Sequence, residues 1–236
     1  MNKVLVFDIF GEYAHFRKHF SNMSPTTFLI PPRTVITGII GAIIGIDKSV
    51  NPEMFSLEDS FITIGLKKEV NKVVMQINGV KATSLSSLTM PIGQKRQINY
   101  EFIKNPLYRI YFSHNNQEIY RELKSKLERH QATYSISLGS AQCLANYEYI
   151  GEYDIAKVDN TEFTGIDSVI SLGNLLEIDF TGNNRVQKCI MSNEMLNDRT
   201  VTKYEEFIYS INGLSILAKV KKLYTVNGLG EFICAM

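Results

Sequence analysis

Apolar residues follow two different periods along the first two-thirds of the chain. Five segments are rich in β-branched and aromatic residues, as strands are: KVLVFDIF, SFITIGLKKEV, NKVVMQINGV, LYRIYFS and ANYEYIGEYDIAKV. Two others, PPRTVITGIIGAIIGI and NQEIYRELKSKLERHQ, instead place apolar residues at helical spacing. The resulting order is β-α-β, a further strand, an insertion, and β-α-β. It predicts an α+β fold of the ferredoxin-like type, with two helices on one face of an antiparallel sheet.

The pattern breaks down between residues 79 and 105, where serine, threonine, one Pro-x-Gly and clustered bases replace the apolar period. Such a stretch is typical of an extended insertion rather than of a packed element. Beyond residue 158 the apolar segments are short and strand-like. We therefore predict a ferredoxin-like domain over residues 1–158, with its insertion at about 79–105, and a small β-rich C-terminal subdomain over residues 159–236.

Composition excludes several classes of protein. The chain has 236 residues, of which 44% are apolar and 21% charged, as in an ordinary globular protein. The longest apolar run, residues 35–46, is shorter than the roughly 20 residues that span a bilayer, so we expect no membrane partner. The chain shows no signal-peptide pattern and no C-x-x-C pair, so we expect a cytoplasmic protein with reduced thiols at its three cysteines: Cys143, Cys189 and Cys234.

The distribution of charge tells more than the net value of +1. Residues 81–109 carry five bases and one acid, whereas residues 141–182 carry eight acids and one base. A basic region of this kind indicates a nucleic-acid partner, and the acidic region suggests a protein neighbour. Chance clustering on a solvated surface is the alternative.

The glycine-rich segment PPRTVITGIIGAIIG predicts a helix with one smooth face. Each glycine costs about 1 kcal/mol relative to alanine in a helix, so its presence needs a reason. Thr34, Gly38, Gly41 and Gly45 fall on one face, opposite the isoleucines. For Gly41 and Gly45 we favour close packing of a neighbouring backbone. At the helix start, Thr34 as N-cap and the adjacent Arg33 predict an anion site that suits a nucleic-acid phosphate.

Two motifs carry a resemblance to a known family. FDIFGEYAHFRK at residues 7–18, followed by PPRTVITGIIGAIIG, resembles the fifth family of CRISPR-associated proteins, the RAMP-type subunits of type I Cascade complexes, and most closely their type I-B branch. NPLYRIYF and YSISLGSAQCLANYEYIG extend the likeness over roughly the first two-thirds of the chain. The resemblance implies a ferredoxin-like (RRM/RAMP) domain with a β-hairpin thumb. It also implies a non-catalytic subunit in antiviral defence that holds the five-prime handle of the CRISPR RNA (crRNA).

Carried onto this sequence, the resemblance implies that the handle is held by Arg17 and Lys18 in the first loop and by Arg33 and Thr34 at the helix start. The insertion would be the thumb, and its bases would be further RNA-binding residues: Lys81, Lys95 and Arg96. The implied partners are the crRNA, the backbone RAMP subunit and the large subunit of the complex. A contact to target DNA near the protospacer-adjacent motif is left open, and neither a cofactor nor a metal is expected.

An enzymatic alternative comes from the same family. One branch, in type I-C systems, cuts precursor CRISPR RNA without metal, which takes a base for the two-prime hydroxyl and an acid for the leaving oxygen. His130, with Arg129 and Tyr134 nearby, is the candidate here. The cutting branch has a basic and acidic pair after its Leu-Gly motif, where this chain has LGSAQCLA. We therefore favour the non-catalytic role. A metal-independent endoribonuclease and a scaffold that binds only proteins stay the alternatives.

The sequence also offers aromatic residues that could contact RNA. Tyr13, Phe16 and Tyr108 are candidates for stacking on splayed bases, as aromatic residues do on RNA-binding sheets. Their more ordinary role is in the core.

Overall fold

The computed structural model describes residues 2–21, 24–80, 95–158, 162–181 and 184–236. The helices in these ranges are α1 (Arg33–Ile44), α2 (Asn51–Met54) and α3 (Gln117–Glu128). The strands are β1 (Lys3–Gly11), β2 (Tyr13–Ala14), β3 (Phe16–Arg17), β4 (Thr27–Phe28), β5 (Ser60–Leu66), β6 (Asn71–Val80), β7 (Lys95–Lys104), β8 (Leu107–His114), β9 (Ala145–Val158), β10 (Thr164–Ile166), β11 (Ile170–Ser171), β12 (Leu175–Ile178), β13 (Val186–Met195), β14 (Val201–Ser210), β15 (Ile216–Val220), β16 (Leu223–Val226) and β17 (Glu231–Ile233).

The largest sheet has six strands in the order β17-β16-β9-β1-β8-β5, and every pair in it except β17–β16 at the edge links two segments distant in sequence. Its β9-β1-β8-β5 portion is antiparallel throughout, with α1 between β1 and β5 and α3 between β8 and β9. This arrangement of strands and crossovers is the split β-α-β plan. The predicted α+β class is therefore confirmed.

Both longer helices bury their apolar residues on one face of this sheet. Alternate residues of β1, such as Phe7, join the same core as Ile36 and Ile40 of α1 and Leu123 of α3. A strand presents alternate side chains to one face, and a helix presents every third or fourth side chain to one face. The apolar side chains that follow these two periods pack together in one core. The isoleucine side of α1 is thus the side that faces the sheet.

The opposite face of the sheet is also covered. Val4, Val6 and Tyr111 are fully buried there, together with Val226 and Ile233 from the C-terminal end of the chain. The amide of the last residue donates to the carbonyl of Ile62 on β5 at 3.0 Å, although β5 and β17 form opposite edges of the sheet. The sheet is therefore rolled, and its second face is not an open platform.

A network of charges fixes the rolled sheet. Arg109 on β8 donates to Asp8 Oδ1 on β1 at 2.7 Å and to Glu231 Oε1 on β17 at 2.9 Å. The hydroxyl of Tyr111 donates to Glu231 Oε2 at 2.7 Å, and Lys67 pairs with the same carboxylate. Burial alone would raise the pKa of Glu231, but the hydrogen bonds from Lys67 and Tyr111 and the charge of Arg109 hold it below its ordinary value.

The C-terminal part differs from the prediction at its end. Two three-stranded sheets, β10-β15-β12 and β11-β14-β13, form the expected β-rich region with a smaller core of its own. However, β16 pairs with β9, and β17 pairs with β16, so both belong to the main sheet. The predicted boundary at residue 158 thus separates strands that pair with each other. A strand-like sequence does not by itself reveal which other strand it pairs with.

The predicted insertion overlaps a hairpin of β6 and β7 that begins earlier than residue 79. β6 pairs with β7 in an unbroken register from Asn71↔Lys104 to Val80↔Lys95. NKVVMQINGV, predicted as a separate strand, is therefore the first arm of this hairpin. Ten residues per arm correspond to about 34 Å. Lys95 and Arg96 open the second arm, while Lys81 lies outside the described residues.

Candidate nucleic-acid interface

The start of α1 is not the open anion site that the sequence predicts. The N-cap is Pro32, which offers no side-chain cap, and the helix begins at Arg33. Thr34 therefore lies inside the first turn, where its Oγ1 is 2.9 Å from Ser192 Oγ on β13. β13 thus packs against the first turn of α1, where Arg33 also donates to the Asn193 carbonyl. The N-cap prediction for Thr34 is wrong.

The guanidinium of Arg33 points into the protein. Arg33 is 2% exposed and donates to Ser60 Oγ at 2.6 Å, to the Ser56 carbonyl at 3.0 Å and to the Asn193 carbonyl at 3.4 Å. Burial lowers its pKa to about 10, against the opposing charge of Glu194, so the group stays charged at neutral pH. The structure thus corrects the prediction of a phosphate fork: Arg33 joins α1, β5 and β13 as part of the fold.

The three glycines of α1 and its C-cap have three different surroundings. A Cβ on Gly41 would lie 1.9 Å from Asn51 Oδ1, so this glycine admits the Asn51 side chain. Gly45 is the C-cap with φ of 91°, a conformation that favours glycine. Gly38 is exposed, and a Cβ there would meet nothing within 4 Å. Packing within the chain explains Gly41, and backbone conformation explains Gly45.

Lys18 borders a cleft of about 390 Å³ that we call the lysine cleft, and Arg17, the residue before it, is exposed. Lys18 Nζ lies 5.8 Å from the ring centroids of both Phe20 and Phe28, close enough for cation–π attraction. Phe20 is 65% exposed, an unusual position for a large aromatic side chain. The far wall of the cleft comes from β13, including Lys188 and Ile190. Cations beside exposed rings are the chemistry that binds unstacked nucleobases.

A second depression lies over the bare face of α1, and we call it the glycine groove. It has a volume of about 350 Å³ and is lined by Thr34, Gly38, Ala42, Ile46, Asp47, Lys48, Asn51, Pro52, Tyr134, Met195 and Arg199. Tyr134 is 55% exposed. Arg199, at the turn between β13 and β14, makes no ion pair with any residue that the structure describes.

The β13–β14 pair connects the two depressions. The ring of His19, beside the lysine cleft, lies 5.3 Å from that of Tyr204 on β14. Tyr204 stands directly opposite Ser192 in the register, and Ser192 contacts Thr34 at the glycine groove. Directly opposed residues place their side chains on the same face of a sheet. Together, these residues form a continuous surface from the lysine cleft to the glycine groove, which we call the interface track.

The candidates for catalysis border one depression but are not linked. His130 and Tyr134 both line a groove of about 430 Å³ beside the loop before β9. The ring of His130 lies 4.7 Å from that of Tyr147, whose hydroxyl donates to the carbonyl of Gln131 at 2.9 Å. Among the described contacts, none is a hydrogen bond between the side chains of His130 and Tyr134.

The Leu-Gly motif has a structural explanation. Gly139 has φ of 88°, and a Cβ there would lie 2.1 Å from the carbonyl oxygen of His15. The amide of His15 donates to the Leu138 carbonyl at 3.0 Å, which locks the motif against the first loop. Glycine is therefore required at this position by backbone conformation and by close approach.

Two of the proposed stacking residues are inaccessible. Phe16 and Tyr108 are 2% and 1% exposed, and their ring centroids lie 6.0 Å apart in the core. The Tyr108 hydroxyl donates to the Leu29 carbonyl at 2.7 Å. Tyr13 is half-buried against Phe102 at 6.1 Å. Both rings thus complete the core, which is the more ordinary of the two roles that the sequence offers for them, and neither is accessible for stacking on bases.

The described residues contain no group of three or more His, Cys, Asp or Glu side chains placed to hold a metal ion. The three cysteines are free, and burial raises the pKa of Cys189 and of Cys234 to about 12 each. Of the helices in the described part of the chain, none has the length and hydropathy to span a membrane.

Comparison with known proteins places the chain in a family. The family profile described as CRISPR-associated protein (Cas_Cas5) matches residues 4–188, so the chain belongs to this family and the predicted family is confirmed. No curated protein matches the sequence. A CRISPR protein from Archaeoglobus fulgidus shares the fold, with a TM-score of 0.59, 14% identity and 98% of each chain covered. A chain of a CRISPR RNA-guided surveillance complex has a TM-score of 0.49, 9% identity and 91% coverage of each chain.

The sequence alone does not single out several residues of the interface track. Phe20 stands two residues after Lys18, so the run FRKHF holds a signal of rings and cations close together. Tyr204 and Arg199 carry no such signal, because only the pairing of β13 with β14 brings them to the first loop and to α1.

Proposed function

We propose that the protein is a non-catalytic RNA-binding subunit of a type I CRISPR Cascade complex, of the type I-B branch, and that it holds the five-prime handle of the crRNA. Family membership supports the general class. The observation that carries the RNA-binding role is the interface track, in which Lys18 lies beside the exposed ring of Phe20 and the ring of His19 meets the exposed Tyr204 of β14.

The track suits a single strand better than a duplex. Unpaired bases stack on exposed aromatic side chains, and their phosphates are drawn to nearby cations. Phe20 and Tyr204 are 65% and 49% exposed, Lys18 Nζ lies 5.8 Å from the Phe20 ring, and Arg17 is exposed on the same loop. Lys188 contributes less charge, because it pairs with Glu206 at 2.8 Å. Arg17, Lys18 and Thr34 thus stay in the proposed RNA interface, whereas Arg33 supports it through the fold.

The hairpin of β6 and β7 would serve as the thumb. One side of its base packs on the core through Val73 and Met75, while Val74 on the other side is 62% exposed. Lys95 and Arg96 lead into its outer end, and Lys81 follows the first arm in sequence. We propose that the hairpin and the acidic 141–182 region contact the backbone RAMP subunit and the large subunit. Target DNA near the protospacer-adjacent motif is a further candidate partner in the cytoplasm.

A metal-independent endoribonuclease is the second candidate, favoured by one observation. His130 and Tyr134 border the same groove, where an RNA strand could contact both. General acid–base catalysis also needs each group within hydrogen-bond reach of the atom it serves. We give this activity second place because Gly139 and its motif are explained by packing against His15.

The proposal is tested by purifying the tagged protein from its host and sequencing the RNA that accompanies it. We expect guide RNAs with a uniform repeat-derived five-prime end. In vitro, Lys18→Ala should weaken binding of that RNA and make log K against log salt shallower by about one phosphate contact. Lys157→Ala, at an exposed lysine on β9, is the matched control. Absence of guide RNA, or equal affinities of the two variants, would contradict the proposal.

A further inference from the structure

β6 is the outer strand of the β2-β7-β6 sheet, and its register with β7 shows which of its backbone groups face outward. In an antiparallel ladder, a strand bonds to a given neighbour through every second residue. Both backbone groups of Glu101 on β7 point away from β6, because its amide donates to the Pro25 carbonyl at 3.0 Å and its carbonyl lies 2.7 Å from His15 Nδ1. The residues of β7 that bond to β6 are therefore the alternate ones, such as Phe102, which stands opposite Val73.

The same alternation leaves a row of free backbone groups along β6. Its odd-numbered residues bond to β7, so the N–H and C=O groups of the even-numbered residues point outward: Lys72, Val74, Gln76 and Asn78. These outward groups have no hydrogen-bond partner within the part of the chain that the structure describes. The row is about 20 Å long and repeats one donor and one acceptor at every second residue.

Other strand edges of the protein are covered. On β5, the Ile64 carbonyl accepts from the Val169 amide at 2.8 Å, and on β17, the Phe232 carbonyl accepts from the Asp167 amide at 2.8 Å. The short segment 167–169 thus closes both edges of the six-stranded sheet. β13, which also has ten residues and lies at an edge, has two register shifts and packs against α1. The open edge of β6 is therefore a local feature and not a general property of this fold.

β6 also lacks the devices by which proteins protect an open edge. Such edges are commonly blunted by proline, by a bulge or by unpaired charges, above all lysine. NKVVMQINGV contains no proline, its register has no bulge, and its one lysine, Lys72, pairs with Glu101 at 2.8 Å. Val74, in the middle of the edge, is 62% exposed. A long, straight and unprotected edge of this kind is a template for another strand.

The chemistry of the edge selects a polypeptide as its partner. An extended chain offers carbonyls and amides at the same two-residue period, whereas RNA phosphates would serve the amides and leave the carbonyls of β6 unpaired. Val73, Met75 and Ile77 lie on one face of β6 and pack against the main core. Neighbouring side chains on paired strands share a face, so the added segment should carry apolar residues at alternate positions, beside these three.

We propose that β6 binds an extended segment of a neighbouring protein subunit, which becomes a fourth strand of the β2-β7-β6 sheet. This inference rests on the proposed function, because a subunit of a multi-protein complex has other subunits beside its hairpin; a second copy of this chain is the competing occupant. The inference goes beyond that function by naming the mode of contact. Main-chain hydrogen bonds supply the affinity, and the alternate apolar positions supply the specificity.

Amide hydrogen exchange, read residue by residue, tests the pairing directly. In the free protein, the amides of Val73, Met75 and Ile77 should be protected, whereas those of Val74 and Gln76 should exchange rapidly. In the complex purified from the host through the tagged protein, the amides of Val74 and Gln76 should exchange at least about tenfold more slowly. Unchanged exchange at these two residues would overturn the inference.

Two variants of one residue separate the backbone contact from a side-chain contact. Gln76→Pro removes an outward amide and places its ring where the added strand would lie, without breaking the ladder to β7. It should melt and bind the handle RNA as the parent does, but recover at least about tenfold less of the neighbouring subunits from the host. Gln76→Ala keeps the amide and is the matched control, which should assemble as the parent does. Equal losses for both variants would assign the contact to the side chain and overturn the inference.

The remaining outcomes identify the occupant and separate this inference from the proposed function. If Gln76→Pro does not fold, the exchange pattern of the parent decides the question. Cross-links from Lys72 to another subunit support the inference, whereas a cross-link to Lys72 of a second copy, or protection of Val74 and Gln76 by handle RNA alone, would overturn it. Absence of guide RNA from the parent complex would overturn the proposed function on which the inference rests. Assembly of Gln76→Pro with guide RNA and its neighbouring subunits would overturn the inference alone.

Discussion

Arg33 gives the sharpest contrast between a structural and an RNA-binding role. Arg33→Ala removes two close charge-assisted hydrogen bonds, to Ser60 Oγ at 2.6 Å and to the Ser56 carbonyl at 3.0 Å. Such bonds are worth about 1.5–3 kcal/mol each, and the buried side-chain stem adds about 2 kcal/mol. Lowering the pKa from 12.5 to about 10 corresponds to a burial cost of roughly 3 kcal/mol, which offsets part of this gain.

The net expectation for Arg33→Ala is a loss of about 3 kcal/mol in the free energy of unfolding. For a chain of this size, that corresponds to a decrease in melting temperature of about 6–12 °C. Urea unfolding followed by circular dichroism measures the loss in the free energy of unfolding. Arg33→Met keeps most of the side-chain stem and should recover part of that free energy. At a temperature where the variant is folded, it should bind the handle RNA as the parent does. An unchanged melting temperature together with weaker RNA binding would refute the structural role.

Three further predictions concern other parts of the fold and the interface. Because the folded pKa of Glu231 lies below its ordinary value of 4.5, its stabilisation is complete above that pH and lost as pH falls through the folded pKa. Glu231→Gln should therefore lower the melting temperature at pH 7, and its difference from the parent should shrink as the pH falls below 4.5; a constant difference would contradict this. Gly139→Ala should lower the free energy of unfolding, measured in urea, by about 2 kcal/mol or more, because φ is 88° and the added Cβ would clash with the His15 carbonyl oxygen. A variant as stable as the parent would refute that explanation. Phe20→Ala should weaken handle-RNA binding by about 1–3 kcal/mol without lowering the melting temperature, since the ring is 65% exposed; equal affinity would remove Phe20 from the interface.

The sequence predicts the central fold well because its signals are local. Apolar periods give β1, α1, β8, α3 and β9 at nearly the observed bounds, and ANYEYIGEYDIAKV coincides with β9 residue for residue. The order of these elements then restricts the sheet to few arrangements. The hairpin of β6 and β7 starts earlier than the predicted insertion because the arm NKVVMQINGV is half apolar, like a strand of the main sheet. Only its register with β7 shows that it belongs to the hairpin.

The candidate interface is less accessible to prediction because it is assembled from distant segments. The basic pair of Arg17 and Lys18 is visible in the sequence, and the smooth face of α1 can be counted on a helical wheel. That β13 covers the start of α1, and so turns Arg33 inward, depends on contacts between residues 33 and 193. Sequence position carries no signal of that kind. Because the Arg33–Asn193 contact turns Arg33 inward, the start of α1 is not the phosphate site that the sequence predicts. The candidate interface is instead the track over the first loop and the β13–β14 pair.

The central claim is that a single RNA strand follows the interface track. Ultraviolet cross-linking of the purified guide-RNA complex, with the attachment sites mapped by mass spectrometry, tests it most directly. We predict that handle nucleotides attach to peptides carrying Phe20 and Tyr204, two exposed rings that only the fold brings to one surface. Handle cross-links confined to peptides outside the first loop and the β13–β14 pair would contradict the account.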